Sequence, residues 1–109
     1  MLHTVVIKEN HIFRRLYHRG KYQAHPLLVT YALKNRLPVN RFGITASKKI
    51  GGAVERNRAK RVIRAAYRQL EPQLPLGWDI IFVARTRTTS VKMDEVAAVM
   101  RRQLAHLMK

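Results

Sequence analysis

The stretch "GWDIIFVAR", residues 77–85, is almost continuously apolar, and it limits the possible folds more than any other segment. It is bounded by Gly77 and by the polar run "TRTTSVK", and most of its residues are β-branched or aromatic, so it reads as a strand. A strand with one wet face alternates apolar and polar residues. This one does not, so it must be a central strand covered on both faces. The rest of the chain has to supply that cover. At 109 residues the chain is long enough for one domain with a real core, and 47 % apolar residues provide the material. No linker or repeat divides it, so residues 1–109 are read as one domain.

Two more strands follow from composition. "HPLLVTYALK" gives a strand from about Leu27 to Lys34, and "NRLPVN" then reads as a turn. "RFGITASKK" alternates, with Phe42, Ile44 and Ala46 on one face and Gly43, Thr45 and Ser47 on the other. The second face carries only small side chains, so another molecule can approach the sheet there. A short fourth strand is expected near Lys21–Gln23. Three helices complete the chain. The first has Asn10 as N-cap and Gly20 as stop, with Ile12, Phe13, Leu16 and Tyr17 as its apolar positions. The second runs from the Gly51-Gly52 break to about Leu70, where Pro72 and Pro75 prevent continuation. The third spans about Met93 to Met108, with Ser90 as a candidate cap and Asp94 and Glu95 complementing its start. Val96, Met100, Leu104 and Leu107 form its apolar stripe, and Arg101 and Arg102 lie away from it. The order helix, two strands, helix, strand, helix predicts an α+β protein, a two-layer α/β sandwich on a mixed sheet.

Charge then narrows the function. Against 22 Lys and Arg there are 6 Asp and Glu, a net charge of +16. Such an imbalance adds self-repulsion to a marginally stable fold, and a polyanionic partner, nucleic acid first, is the economical explanation. The sequence has no cysteine, which excludes disulfides, cysteine-based zinc sites and thiol catalysis. No segment has the form of a signal peptide and none approaches the ~18 apolar residues of a membrane span. A cytoplasmic protein without a membrane partner is expected. The acids Glu9, Glu55, Glu71, Asp79, Asp94 and Glu95 form no convincing carboxylate cluster for two-metal phosphodiester chemistry. The histidines His3, His11, His18, His25 and His106 show no zinc spacing, and no phosphate-binding glycine loop is present. No catalytic residue, metal ligand or small-molecule substrate is assigned to the chain.

The densest charge lies in "GGAVERNRAKRVIRAAYR", residues 51–68, with six Lys or Arg and one acid. At about 100° per residue, Ala59, Val62, Ile63, Ala66 and Leu70 share one side of this helix. Asn57, Lys60, Arg61, Arg64 and Arg68 gather on the opposite side, and Arg56 and Arg58 flank them. Burial of the apolar stripe can offset the repulsion between like charges three and four apart. Solvated helix faces usually mix signs, whereas this arc contains no acid, which favours a phosphate-binding face. Arginine suits it, because its planar fork grips phosphate oxygens in pairs.

The segment "KKIGGAVERNRAKRVIRAAYR" closely resembles the signature of the bacterial ribonuclease P protein subunit, centred on Arg56, Asn57 and Arg58. The resemblance extends through "HIFRRLYHRG", "RFGITASKKIG" and "WDIIFVAR", nearly the whole chain. It implies a central four-stranded sheet with three helices and a left-handed βαβ crossover, where sequence physics alone expects the right hand. It also implies that the catalyst is a large RNA, ribonuclease P RNA, which holds Mg2+ and removes the 5′ leader of precursor tRNA. The protein alone would then not be catalytic and would hold no cofactor tightly. Carried onto this sequence, Arg56, Asn57, Arg58, Lys60, Arg61 and Arg64 would dock on the catalytic RNA, with Arg68 extending the same arc.

The leader-binding cleft implied by the resemblance maps to Phe13 and Tyr17 on the first helix and to Val29 and Tyr31 on the first strand. Thr45, Ser47 and Lys48, near the end of the next strand, complete it. Spacing agrees, since Phe13 and Tyr17 are i,i+4 neighbours and Val29 and Tyr31 share a strand face. Aromatic faces stack on single-stranded bases with little sequence preference, though Phe13 or Tyr17 taken alone would equally serve as core. Where the family has a more basic tail, "MLHTVVIKEN" offers only His3 and Lys8. The alternative reading is a structural RNA-binding protein of ribosomal type, which would lack the cleft.

Overall fold

The computed structural model describes residues 2–109. Its elements in chain order are β1 (Thr4–Val6), α1 (Asn10–Arg19), β2 (Lys21–His25), β3 (Leu28–Lys34), β4 (Asn40–Thr45), α2 (Ala53–Leu70), β5 (Trp78–Ala84) and α3 (Met93–Leu107). Short 3-10 turns at Lys48–Ile50, Glu71–Gln73 and Thr86–Ser90 connect them. The apolar strand is central: the sheet order is β1-β4-β5-β3-β2. β5 runs parallel to β4 and antiparallel to β3, and β2 pairs antiparallel with β3. The sheet is therefore mixed, and α2 is the crossover between the parallel strands β4 and β5.

The sheet has five strands where four were expected. The extra one, β1, pairs in parallel with the start of β4, Thr4 opposite Asn40 and Val6 opposite Phe42. Three β-branched residues are too few to show a period, and the partner lies far along the chain. Its anchorage comes from the other end of α2. The buried Glu71 carboxylate accepts hydrogen bonds from the backbone N–H of Leu2 (2.9 Å) and His3 (3.2 Å). Burial works to raise the pKa of this carboxyl, but bonds from Thr4 and from those two backbone groups lower it by more. The net position is below the ordinary carboxylate value. The Tyr67 phenol, bonded to Thr4 Oγ1 at 2.8 Å, is pushed up to about 12, chiefly by its own burial.

Both faces of β5 are covered, as its composition requires. On one side α2 and α3 pack on Leu28, Ala32, Phe42, Ile80, Phe82 and Ala84. The α2 stripe buries Ala59, Ile63, Ala66 and Leu70 as expected, while Val62 is only half-buried and Tyr67 joins the stripe instead. The Tyr67 ring stacks on Phe42 (4.9 Å between centroids, 6° between planes), with Phe82 beside both. On the other side α1 closes a smaller cluster of Ile7, Ile12, Leu16 and Ile81. Polar groups in the interior are paired. Gln103 of α3 accepts from Thr30 Oγ1 (2.6 Å) and donates to the carbonyls of Gln23 and Leu28, tying α3 to β2 and β3.

Two expected caps fall elsewhere. Glu9, not Asn10, precedes the first turn of α1, and Asn10 lies inside the helix. Lys92 occupies the corresponding position of α3, while the Ser90 hydroxyl bonds the Arg87 carbonyl within its own 3-10 turn. Neither helix depends on a side-chain cap, because tertiary packing of its apolar face supplies most of its stability. Gly20 does end α1, with its N–H on the Leu16 carbonyl at 2.8 Å.

Candidate nucleic-acid interface

Two surfaces carry the candidate residues. The first is α2. Asn57, Arg58, Arg61 and Arg68 are exposed, and Arg56, Lys60 and Arg64 are half-buried. The buried stripe fixes the rotation of the helix, so the arc faces away from the core. Three of the six carboxylates are placed away from this helix face. Asp79, almost fully buried, is gripped by Arg41 through two bonds of 2.7 Å and by Asn35 Nδ2 at 2.9 Å. Glu71 holds the N-terminal backbone, and Glu9 Oε2 lies 3.3 Å from His11 Nδ1 on the exposed start of α1. Among the described residues no carboxylate forms an ion pair with a cation of α2. Glu55 is the one acid on the helix, and it lies against Gly51, whose φ of 140° no other residue adopts comfortably.

The second surface is the sheet face under α1. Cross-strand register places Gly43, Ile81, Tyr31 and Tyr22 in one row, and Thr45, Val83, Val29 and Ala24 in the next. α1 brings two aromatic rings onto these rows. Phe13 sits on Gly43 so closely that a Cβ there would lie 2.5 Å from its ring, so glycine is the residue that admits the ring. Tyr17 shares a 2.7 Å hydrogen bond with Thr45 Oγ1 and meets Tyr31 edge-to-face at 5.0 Å. Phe13, Tyr17, Tyr31 and Thr45 thus come together as one group, with the buried Val29 as floor. Ser47 and Lys48 stand exposed beyond the end of β4, and the Ser47 hydroxyl accepts from the Lys49 N–H at 3.3 Å.

The surfaces meet at the edge of β4. β1 covers only the first half of that strand, and a shallow groove opens past its end. Phe13 and Gly43 line it from the cleft side, Lys60 and Arg64 from α2. Sequence reasoning also missed one aromatic residue. Tyr22 of β2 stacks on Tyr31 at 5.4 Å and 29°. The short strand at Lys21–Gln23 was legible, but its pairing register, which sets Tyr22 beside Tyr31, was not.

Among the described residues no three His, Asp or Glu side chains converge, and the two buried acids are already engaged. No described helix is long and apolar enough to cross a membrane.

An RNA-binding α+β protein is the class these two surfaces define, one a cationic helix arc and the other an aromatic shelf. Comparison with known proteins narrows the class. The family profile described as Ribonuclease P matches residues 1–108. The ribonuclease P protein component of Clostridium botulinum (strain Loch Maree / Type A3) is 39 % identical over 95 residues, covering 86 % of each chain. That of Alkaliphilus metalliredigens is 36 % identical over 103 residues, 94 % of this chain and 89 % of the relative. The RNase P protein of Staphylococcus aureus superposes with a TM-score of 0.82 at 32 % identity, over 95 % of this chain and 97 % of that one. The Thermotoga maritima protein gives 0.76 at 27 % identity, over 94 % of each. The chain belongs to the ribonuclease P protein component family, the protein subunits of a ribonucleoprotein endoribonuclease of tRNA processing.

Proposed function

We propose that this chain docks on ribonuclease P RNA through α2 and holds the 5′ leader of precursor tRNA on the aromatic shelf beneath α1. The observation that carries the reading is the pairing of an acid-free cationic arc with an aromatic cluster across one groove. Arg56, Asn57, Arg58, Lys60, Arg61, Arg64 and Arg68 grip the phosphates of the catalytic RNA. Phe13, Tyr17, Val29, Tyr31, Thr45, Ser47 and Lys48 take the leader. Cations between two polyanions weaken their mutual repulsion and release counterions, so the substrate meets its catalyst at lower electrostatic cost. The chemistry, Mg2+-dependent hydrolysis of one phosphodiester, belongs to the RNA. The protein supplies position and charge and no catalytic group, and it works in the cytoplasm with those two RNAs as partners.

The test is reconstitution. Ribonuclease P RNA, precursor tRNA and the purified protein are mixed at low Mg2+, and mature 5′ ends are counted. Cleavage that needs both the RNA and the protein is the expected result. RNA binding without stimulation would place the chain among structural RNA binders, and cleavage by the protein alone would overturn the division of labour.

A further inference from the structure

Tyr31 is not the ring that the shelf presents most openly. It is half-buried, met by the edge of Tyr17 and stacked by Tyr22. Tyr22 is 60 % exposed against 41 % for Tyr17. It stands on β2, the last strand of the sheet, so no further strand covers it. The residues two positions to either side are Gly20 and Ala24, which put no bulk beside the ring. Cross-strand pairing with Tyr31 holds it in the row that ends under Phe13. A lone exposed tyrosine needs no explanation. An exposed ring stacked on a cleft aromatic, in a protein of net charge +16, continues a surface made for nucleic acid.

We propose that Tyr22 is an additional nucleobase-stacking site, which extends the leader-binding shelf by one position from β3 onto the outer strand β2. The inference rests on the leader cleft described above. The nucleobase stacks on the outward part of the Tyr22 ring while Tyr31 supports the ring from behind. Because every base has a π-face, the site adds affinity without a strong sequence preference. It lies outside the positions that the family resemblance brought to the cleft.

The experiment uses the holoenzyme assembled on ribonuclease P RNA and compares a leader-bearing precursor tRNA with mature tRNA. Tyr22→Ala should weaken precursor binding by between about 5-fold and 150-fold, the range for one base on one aromatic ring, and leave mature tRNA unchanged. Tyr22→Phe keeps the ring and should stay within about twofold of the parent, whereas Tyr22→Leu should behave as Tyr22→Ala. 2-Aminopurine scanned through the leader should show a quenched position that brightens in Tyr22→Ala. Binding of each variant to the catalytic RNA serves as the control for folding. Normal precursor binding by Tyr22→Ala, with a loss in Tyr31→Ala, overturns the Tyr22 site and keeps the cleft. Recovery in Tyr22→Leu overturns it too, because apolar support of Tyr31 would then suffice. Absence of a leader-specific loss in all of these variants, Tyr31→Ala included, overturns the cleft and the extension together.

Discussion

The arc on α2 and the shelf under α1 both face RNA in this reading, yet they are built on opposite principles. The arc is made of long flexible cations on one helix, and its geometry comes entirely from the apolar stripe behind it. The shelf is made of rigid rings from α1, β2 and β3 set on a sheet, and each ring touches another of the group or a glycine. Many phosphate contacts of similar worth tolerate the loss of one. A few interlocked rings do not. The first surface should respond to salt and to the number of charges, the second to shape and to single atoms.

The largest effect is expected on the arc. Replacing Arg61, Arg64 and Arg68 together by Ala should lower affinity for the catalytic RNA by roughly two orders of magnitude and flatten the slope against log salt by about 2 to 3. Discrimination between precursor and mature tRNA should survive. A filter-binding series across salt reads both, and an unchanged slope would remove α2 as the docking face. Tyr31→Ala should do the reverse, costing about 1–3 kcal/mol on leader-bearing precursor alone; an equal loss on mature tRNA would sink the shelf.

Gly43→Ala is subtler, since the new Cβ would strike the far end of the Phe13 ring. The ring should swing away, with a several-fold loss of leader affinity, on the order of 1 kcal/mol. Aromatic proton shifts of Phe13 should report the move, and catalytic-RNA binding should not change. The smallest effect on RNA binding comes from a change that touches neither surface and shows in folding stability instead. The lowered pKa of Glu71 means that its stabilisation is in full force above the unfolded carboxylate value, 4.5, and is lost as pH falls through the folded value. Glu71→Gln should remove that pH dependence at a cost of about 1–3 kcal/mol. Hydrogen exchange at the β1 amides should rise first, while the amides of β5 stay protected.

The parts of the molecule that were legible in its sequence are those whose signal is local. The rotation of α2 and the alternation of β4 follow from a period within one segment, the double cover of β5 from an unbroken apolar run, and each is present in the fold. What escaped depends on distant partners. β1 is a strand because Asn40 and Phe42 lie beside it, and Tyr22 joins the shelf because β2 pairs with β3 in one register out of several. The aromatic set Phe13, Tyr17 and Tyr31 came from resemblance and spacing, and the contacts that bind it into a group, through Gly43 and Thr45, are tertiary.

The sheet order also says something about how the chain is made. β5 joins two ribbons, β1 with β4 and β3 with β2, that share no other ladder. A ribosome emits both ribbons before it emits β5. Until residue 84 is out of the exit tunnel, the nascent protein holds two unconnected hairpin-sized fragments, each with a bare edge and an unburied face. The chain ahead of β5, with α2 included, already carries 16 of the 22 basic residues. RNA present during synthesis would meet the cationic helix before the sheet beneath it has closed.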